Sequence, residues 1–240
     1  MTCIYVAWEA GIKYGHYNIR LLRGPVYQQD LLNEYIEVEY DEIKSEKVVR
    51  TIQKKISLEA YISVYYASLS HEEDALQAIY DFLRLGFKVG PRILGMKSYP
   101  EVLRMMELKR KVGNEAHLFR EFIRFTCVDS RIYIGVVEPK SNVIMLMANH
   151  FADRMPSEYW IILDEKRRYA VIHPKDEDYY RRELNDYEFN YLMDAYQRND
   201  EYTDMWKTFF EAIGIKERKN KRCQRNMFPV WMRKNAVEFK

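Results

Sequence analysis

The spacing of apolar residues changes period near the middle of this 240-residue chain, and that change limits the fold more than any single motif. Up to about residue 112, apolar side chains recur three and four positions apart, the repeat of an amphipathic helix. From Phe122 onward the chain is built instead from short β-branched and aromatic runs divided by turn residues, the pattern of strands. Helices first, then strands and helices together, make an α+β protein. Gly86, Gly90, Pro91 and Gly95 mark a linker over 86–98. The chain therefore divides into a mainly helical N-terminal region, 1–98, and an α+β domain, 99–240.

In the first region, residues 1–14 predict a helix that ends near Gly11 or Gly15. Glu34–Tyr40 alternates, with Ile36, Val38 and Tyr40 on one face, and predicts a half-buried strand. Ser45 is placed to cap a helix with Val48, Val49, Ile52 and Ile56 inside, and Ser57 to cap the next. Ser70 and Glu73 have the spacing of a capping box, and Gly86 is a stop for the helix they open. Pro100 suits the first turn of a further helix. In the second region, Phe122–Val128 and Arg131–Glu138 predict a hairpin. Val143–Met155 predicts a helix capped by Asn142, and Glu158–Asp164 and Arg168–His173 predict two more strands. The order strand, strand, helix, strand, strand predicts an antiparallel layer with a helix on one face. C-terminal helices pack with it at Asp186–Gln197 and Glu201–Ile213, the second with Trp206, Phe209 and Phe210 on its inner side.

Charge is distributed unevenly. Residues 215–240 hold nine Lys or Arg against two Glu, a formal +7 in a chain whose total is +2. A surface this basic attracts polyanions, nucleic acid first. Met227, Phe228, Val230, Trp231 and Met232 interleave with the cations, either to stack bases or to dock the segment on a core. The 20 Tyr allow both a stacking surface and a Tyr-rich core and rim. No apolar run approaches the ~20 residues that span a bilayer, and no secretory leader is visible, so a cytoplasmic protein is expected. Cys3, Cys127 and Cys223 are odd in number and far apart. They predict no disulfide framework, no zinc site and no iron–sulfur cluster.

Candidate chemistry is sparse. On a helix, His150 lies near Asp153 and Arg154, a spacing suited to an oriented general base or to phosphate binding, or simply to a polar surface cluster. Glu115 and His117 are further catalytic candidates. No G-x-S-x-G elbow, phosphate loop or dinucleotide fingerprint occurs, and no metal-ligand spacing does, so neither metal nor cofactor is expected. Basic residues are the stronger theme. Arg124, Arg154, Arg167, Arg168, Arg218, Lys219, Lys221, Arg222 and Arg225 are the candidate nucleic-acid contacts.

Several short elements occur in a fixed order: Asn114-Glu115-Ala116-His117, Phe122-x-Arg124-Phe125, Glu138-Pro139, His150-Phe151-Ala152-x-Arg154, Trp160-x-Ile162-x-Asp164-x-x-Arg167, Trp206-x-x-Phe209-Phe210, Ile215-x-Glu217-Arg218-x-Asn220 and Pro229-x-Trp231. Together they resemble the bacterial "probable DNA metabolism protein" family, whose C-terminal part is domain of unknown function 4130. The resemblance runs from about Asn114 to Glu238 and, more loosely, upstream through Glu34–Val38, Lys47–Ile56, Ala67–Leu69 and Leu85-Gly86-Phe87. It implies a role in DNA repair or modification, because the family tends to be encoded beside a radical-SAM protein similar to spore photoproduct lyase. A similar segment is also fused to uracil-DNA glycosylases. It carries over no catalytic residues. Fuller members open with a short strand ahead of the stretch equivalent to Tyr5–Ile12, whereas here Met1 begins almost inside the first helix. Three readings follow: a DNA-binding accessory module for such an enzyme, a DNA- or nucleotide-acting enzyme using His150 and Asp153, or a protein-binding adaptor. The motif elements around the basic C-terminal segment imply an ordered end to the domain, with Phe228 and Trp231 packed inward.

Overall fold

Where apolar residues recur at helical spacing the chain folds as helices: α1 (Thr2–Tyr14), α2 (Glu42–Lys55), α3 (Leu58–Ser68), α4 (Ala75–Val89) and α5 (Pro100–Phe122). The computed structural model describes residues 1–24, 29–129, 131–198, 201–213, 215, 217 and 220–239. It divides into two compact units, Met1–Gly113 and Asn114–Lys240, with the boundary inside α5. The α+β class with a helical N-terminus is the observed one.

The first unit buries one face of each of its helices in a core that includes Ile52, Val64, Ile79, Phe82, Leu83 and Met105. Tyr80 is fully buried there, and its hydroxyl is satisfied by donating to the Ala7 carbonyl at 3.2 Å and meeting His16 Nδ1 at 2.7 Å. Among the described residues this unit contains no strand. The alternating segment Glu34–Tyr40 lies outside helix and strand, with Ile36 and Tyr40 exposed. Alternation makes a strand only where a neighbouring strand accepts its backbone bonds. Here the segment is instead followed by Asp41, whose N–H and C=O both bond the Thr2 hydroxyl.

Caps also fall differently from the sequence expectation. Asp41, not Ser45, caps α2 by accepting from the Lys44 N–H. Asp74 is the N-cap of α4, while the Ser70 hydroxyl accepts from the Glu72 N–H, so the Ser70–Glu73 box does not form. Gly86 is internal to α4. A Cβ there would come within 2.7 Å of Ile56, so the glycine serves close packing. Gly90, at φ 67°, is the residue that ends the helix.

In the second unit, β1 (Phe125–Val128), β2 (Ile132–Val137), β3 (Tyr159–Asp164), β4 (Tyr169–His173) and β5 (Tyr180–Glu183) form one sheet in chain order. The sheet is mixed, and not the antiparallel layer expected. β2 and β3 run parallel, with Ile132 opposite Tyr159 and Val137 opposite Asp164, while the other pairs are antiparallel. The cause is the helix between them, α6 (Ile144–Arg154): a crossover returns the chain to the same end of the sheet, so the next strand must run in the same direction. Val143 is its N-cap, without a side-chain bond, because Asn142 Oδ1 is taken by the Tyr169 hydroxyl.

Both faces of the sheet are covered. Ile134, Val136, Leu163 and Ala170 pack with Ala195 and Tyr196 of α7 (Asp186–Gln197). α6 packs against β3 and β4, with Phe151 edge-on to Trp160. Double coverage explains why β2 to β4 read as nearly continuous apolar runs. Helices α8 (Glu201–Ala212) and α9 (Lys221–Met227) follow. α7 begins with a full capping box, Asn185 with Glu188. Among the described residues no helix is long and apolar enough to cross a membrane.

Ion pairing in the first unit makes its stability pH-dependent. Hydrogen bonds from Lys111 and Arg104, both at 2.6 Å, hold the Glu72 carboxyl at about 2, below its ordinary 4.5. An acid with a lowered folded pKa stabilises fully above the ordinary value and loses that contribution as pH falls towards the folded one. Thermal melts should therefore show Glu72→Gln less stable than the parent at pH 7, with the gap closing as pH falls below about 4.5. A gap that stays constant down to pH 3 would exclude this role for Glu72.

Candidate nucleic-acid interface

The basic C-terminal segment is fixed to the second unit by apolar contacts and by its own cations. Asn220 caps α9, its side chain accepting from the Cys223 N–H at 2.9 Å. Phe228 is buried and stacks on Phe122 with centroids 3.9 Å apart, and Met232 and Ala236 are buried beyond it. Trp231 touches Phe119 edge-on but remains 40% exposed, with Lys140 Nζ over its ring, so it packs inward only in part. Arg233 donates to the Phe228 and Gln224 carbonyls, closing the end of α9. Lys234 bridges Glu138 at 2.7 Å and Glu165 at 2.8 Å, and those two bonds raise its pKa. Arg124 pairs with the nearly buried Glu238 carboxylate.

These pairings separate structural cations from available ones. Lys221, Arg222 and Arg225 on α9 are exposed and make no ion pair or hydrogen bond among the described residues. Lys221 and Arg222 stand in the first turn, where the helix dipole disfavours cations and no acidic residue offsets them. Helix stability therefore does not account for their presence. Arg218 and Lys219, just before α9, lie outside the described residues.

The remaining basic candidates are dispersed. Arg124 is engaged internally, also lying over the Trp206 ring at 5.1 Å. Arg168, at φ 57°, pairs with Asp186 at 2.8 Å and covers Phe189. Arg154 is exposed near the end of α6 and makes no bond among the described residues. Arg167 is a tie between two turns. Its guanidinium donates to Asp164 Oδ2 at 2.8 Å, to the Pro139 carbonyl at 3.1 Å and to the Lys140 carbonyl. Asp164 is fully buried; burial pushes its carboxyl up, and the bonds from Arg167 pull the other way.

The catalytic candidates do not converge. His150 and Asp153 are exposed on α6 with no hydrogen bond between them. His117 meets Glu121 at 3.1 Å, one helical turn along α5, with both exposed. Glu115 is buried, and its carboxylate accepts the Lys140 N–H at 2.6 Å and the Ser141 N–H at 3.2 Å. Among the described residues no three His, Cys, Asp or Glu side chains are grouped to hold a metal. Sequence reasoning did not find Lys234, Glu138, Glu165 and Glu238 as the anchors of the segment. Their partners lie far away in the chain, and no local spacing signals them.

A family model for the domain of unknown function DUF4130 matches residues 73–238, more than half of the chain. The chain belongs to that family. No curated protein and no solved structure matches it. The DUF4130 match begins in the first unit and takes in nearly all of the second, the anchored segment included.

Because Asp164 is buried, Arg167→Met leaves a carboxylate without its counter-charge. It is expected to cost about 3 kcal/mol in urea unfolding, and Asp164→Asn in the same chain to restore part of it. Unchanged stability of the single variant would remove the tie from this account.

Proposed function

We propose that this chain is a cytoplasmic nucleic-acid-binding protein of DNA metabolism. Its second unit would grip the phosphate backbone through Lys221, Arg222 and Arg225, with Arg154, Arg218 and Lys219 as auxiliary contacts, while a separate enzyme performs the chemistry. The reading rests on one observation: three exposed cations without partners among the described residues, on a helix whose far end is locked to a folded core. Phosphate contacts of this kind position a nucleic acid without reading its sequence. The partner enzyme is of radical-SAM or uracil-DNA-glycosylase type, as the resemblance in sequence implies. An enzyme centred on His150 and Asp153 has less support, since no bond among the described residues orients the histidine. A second reading, the protein-binding adaptor, is favoured by the exposed Tyr202, Met205 and Phe209 of α8.

The decisive measurement is a salt series of binding to single- and double-stranded DNA, with and without the partner. Affinity should fall steeply with salt, and Lys221→Ala/Arg222→Ala/Arg225→Ala should reduce the log–log slope by about 3. Binding that ignores salt, or that the triple variant leaves unchanged, would refute the proposal. Partner association without any DNA affinity would support the adaptor.

A further inference from the structure

The first unit carries an open groove of about 410 Å³, lined by α1, α2 and Phe87 of α4. That volume lies within the ~300–1,000 Å³ of small-molecule sites. Three rings, Tyr5, Trp8 and Phe87, form much of its wall. They are held in place before any ligand arrives. Trp8 meets Phe87 edge-on at 5.0 Å and also contacts His16 and Tyr80, and Tyr5 lies under the ammonium of Lys47 at 6.0 Å.

Charge at the groove is asymmetric. Its one carboxylate among the described residues, Glu9, acts on the Tyr5 phenol and raises its pKa, chiefly by its charge. Lys47 and Lys55 also line the groove, are exposed, and have no carboxylate partner among the described residues. Neighbouring cations differ in this respect: Lys44 faces Asp41, and Arg50 pairs with Glu46. Aromatic walls beside two available ammonium groups match a flat ring that carries negative charge.

We propose that the groove between α1, α2 and α4 binds a small aromatic anion, with the chemistry of a nucleoside monophosphate: the ring lies among Tyr5, Trp8 and Phe87, and the anionic group meets Lys47 and Lys55. The site goes beyond the nucleic-acid reading and does not depend on it.

Calorimetry on the full chain with AMP and adenosine as probes tests the assignment. AMP should bind, and adenosine, which lacks the charge, should bind about tenfold more weakly. Lys47→Glu/Lys55→Glu changes only exposed groups; it should bring AMP down to the adenosine level or below while leaving the melting temperature in place. The Lys221→Ala/Arg222→Ala/Arg225→Ala chain should retain AMP binding, which separates this site from α9. A change in tryptophan emission on AMP addition should disappear in Trp8→Phe. Equal affinity for the two probes, AMP binding untouched by the lysine reversals or lost with the α9 cations, or no binding of either probe at millimolar concentration would each overturn the proposal.

Discussion

One turn, residues 138–142, governs the second unit, and two charged side chains hold it by its backbone. Arg167 takes the carbonyls of Pro139 and Lys140, and Glu115 takes the N–H groups of Lys140 and Ser141. The turn leaves β2 and launches α6, so its geometry decides where the crossover begins and hence that β3 pairs parallel to β2. A connection beside two strands covered on both faces has few waters to satisfy its polar groups, and each unpaired one would cost on the order of 1–3 kcal/mol. Asp164, at the end of β3, orients Arg167 for the task, and Lys234 closes the same corner by bridging Glu138 and Glu165.

The concentration of charge at the C-terminus thus resolves into two populations. Arg233 and Lys234 spend their donors on the fold, where they terminate α9 and moor the segment to the sheet. Lys221, Arg222 and Arg225 remain on a helix that cannot drift away from the unit. A fixed array of cations loses less conformational freedom on binding an anion than a loose tail would. The aromatic residues between them serve mainly as anchors, with Phe228 wholly committed to Phe122 and Trp231 half committed.

Much of this architecture was legible from local signals. The helices α6 and α7 and the strands β2, β3 and β4 were each foreshadowed by periodicity that burial then used. The errors have a common origin in partners that local sequence does not name. Glu34–Tyr40 has strand alternation but meets no strand among the described residues. β5, with all of its residues exposed, presents no apolar face to betray it. Parallel pairing of β2 with β3 follows from the crossover and not from either strand's composition. At the candidate interface, exposure of the α9 cations could be anticipated from their density. The internal commitments of Arg124, Arg167 and Arg168 could not, since Glu238, the 139–140 carbonyls and Asp186 are brought to them only by folding.

The backbone character of the corner turn has an evolutionary corollary. Glu115 and Arg167 hold amide and carbonyl groups that every residue except proline supplies in full, so the grip is indifferent to which side chains stand at positions 140 and 141. A change at Glu115 or Arg167 therefore strands several polar groups at once. Mutational tolerance at this corner should be low at two side chains distant in sequence from the turn whose backbone they hold.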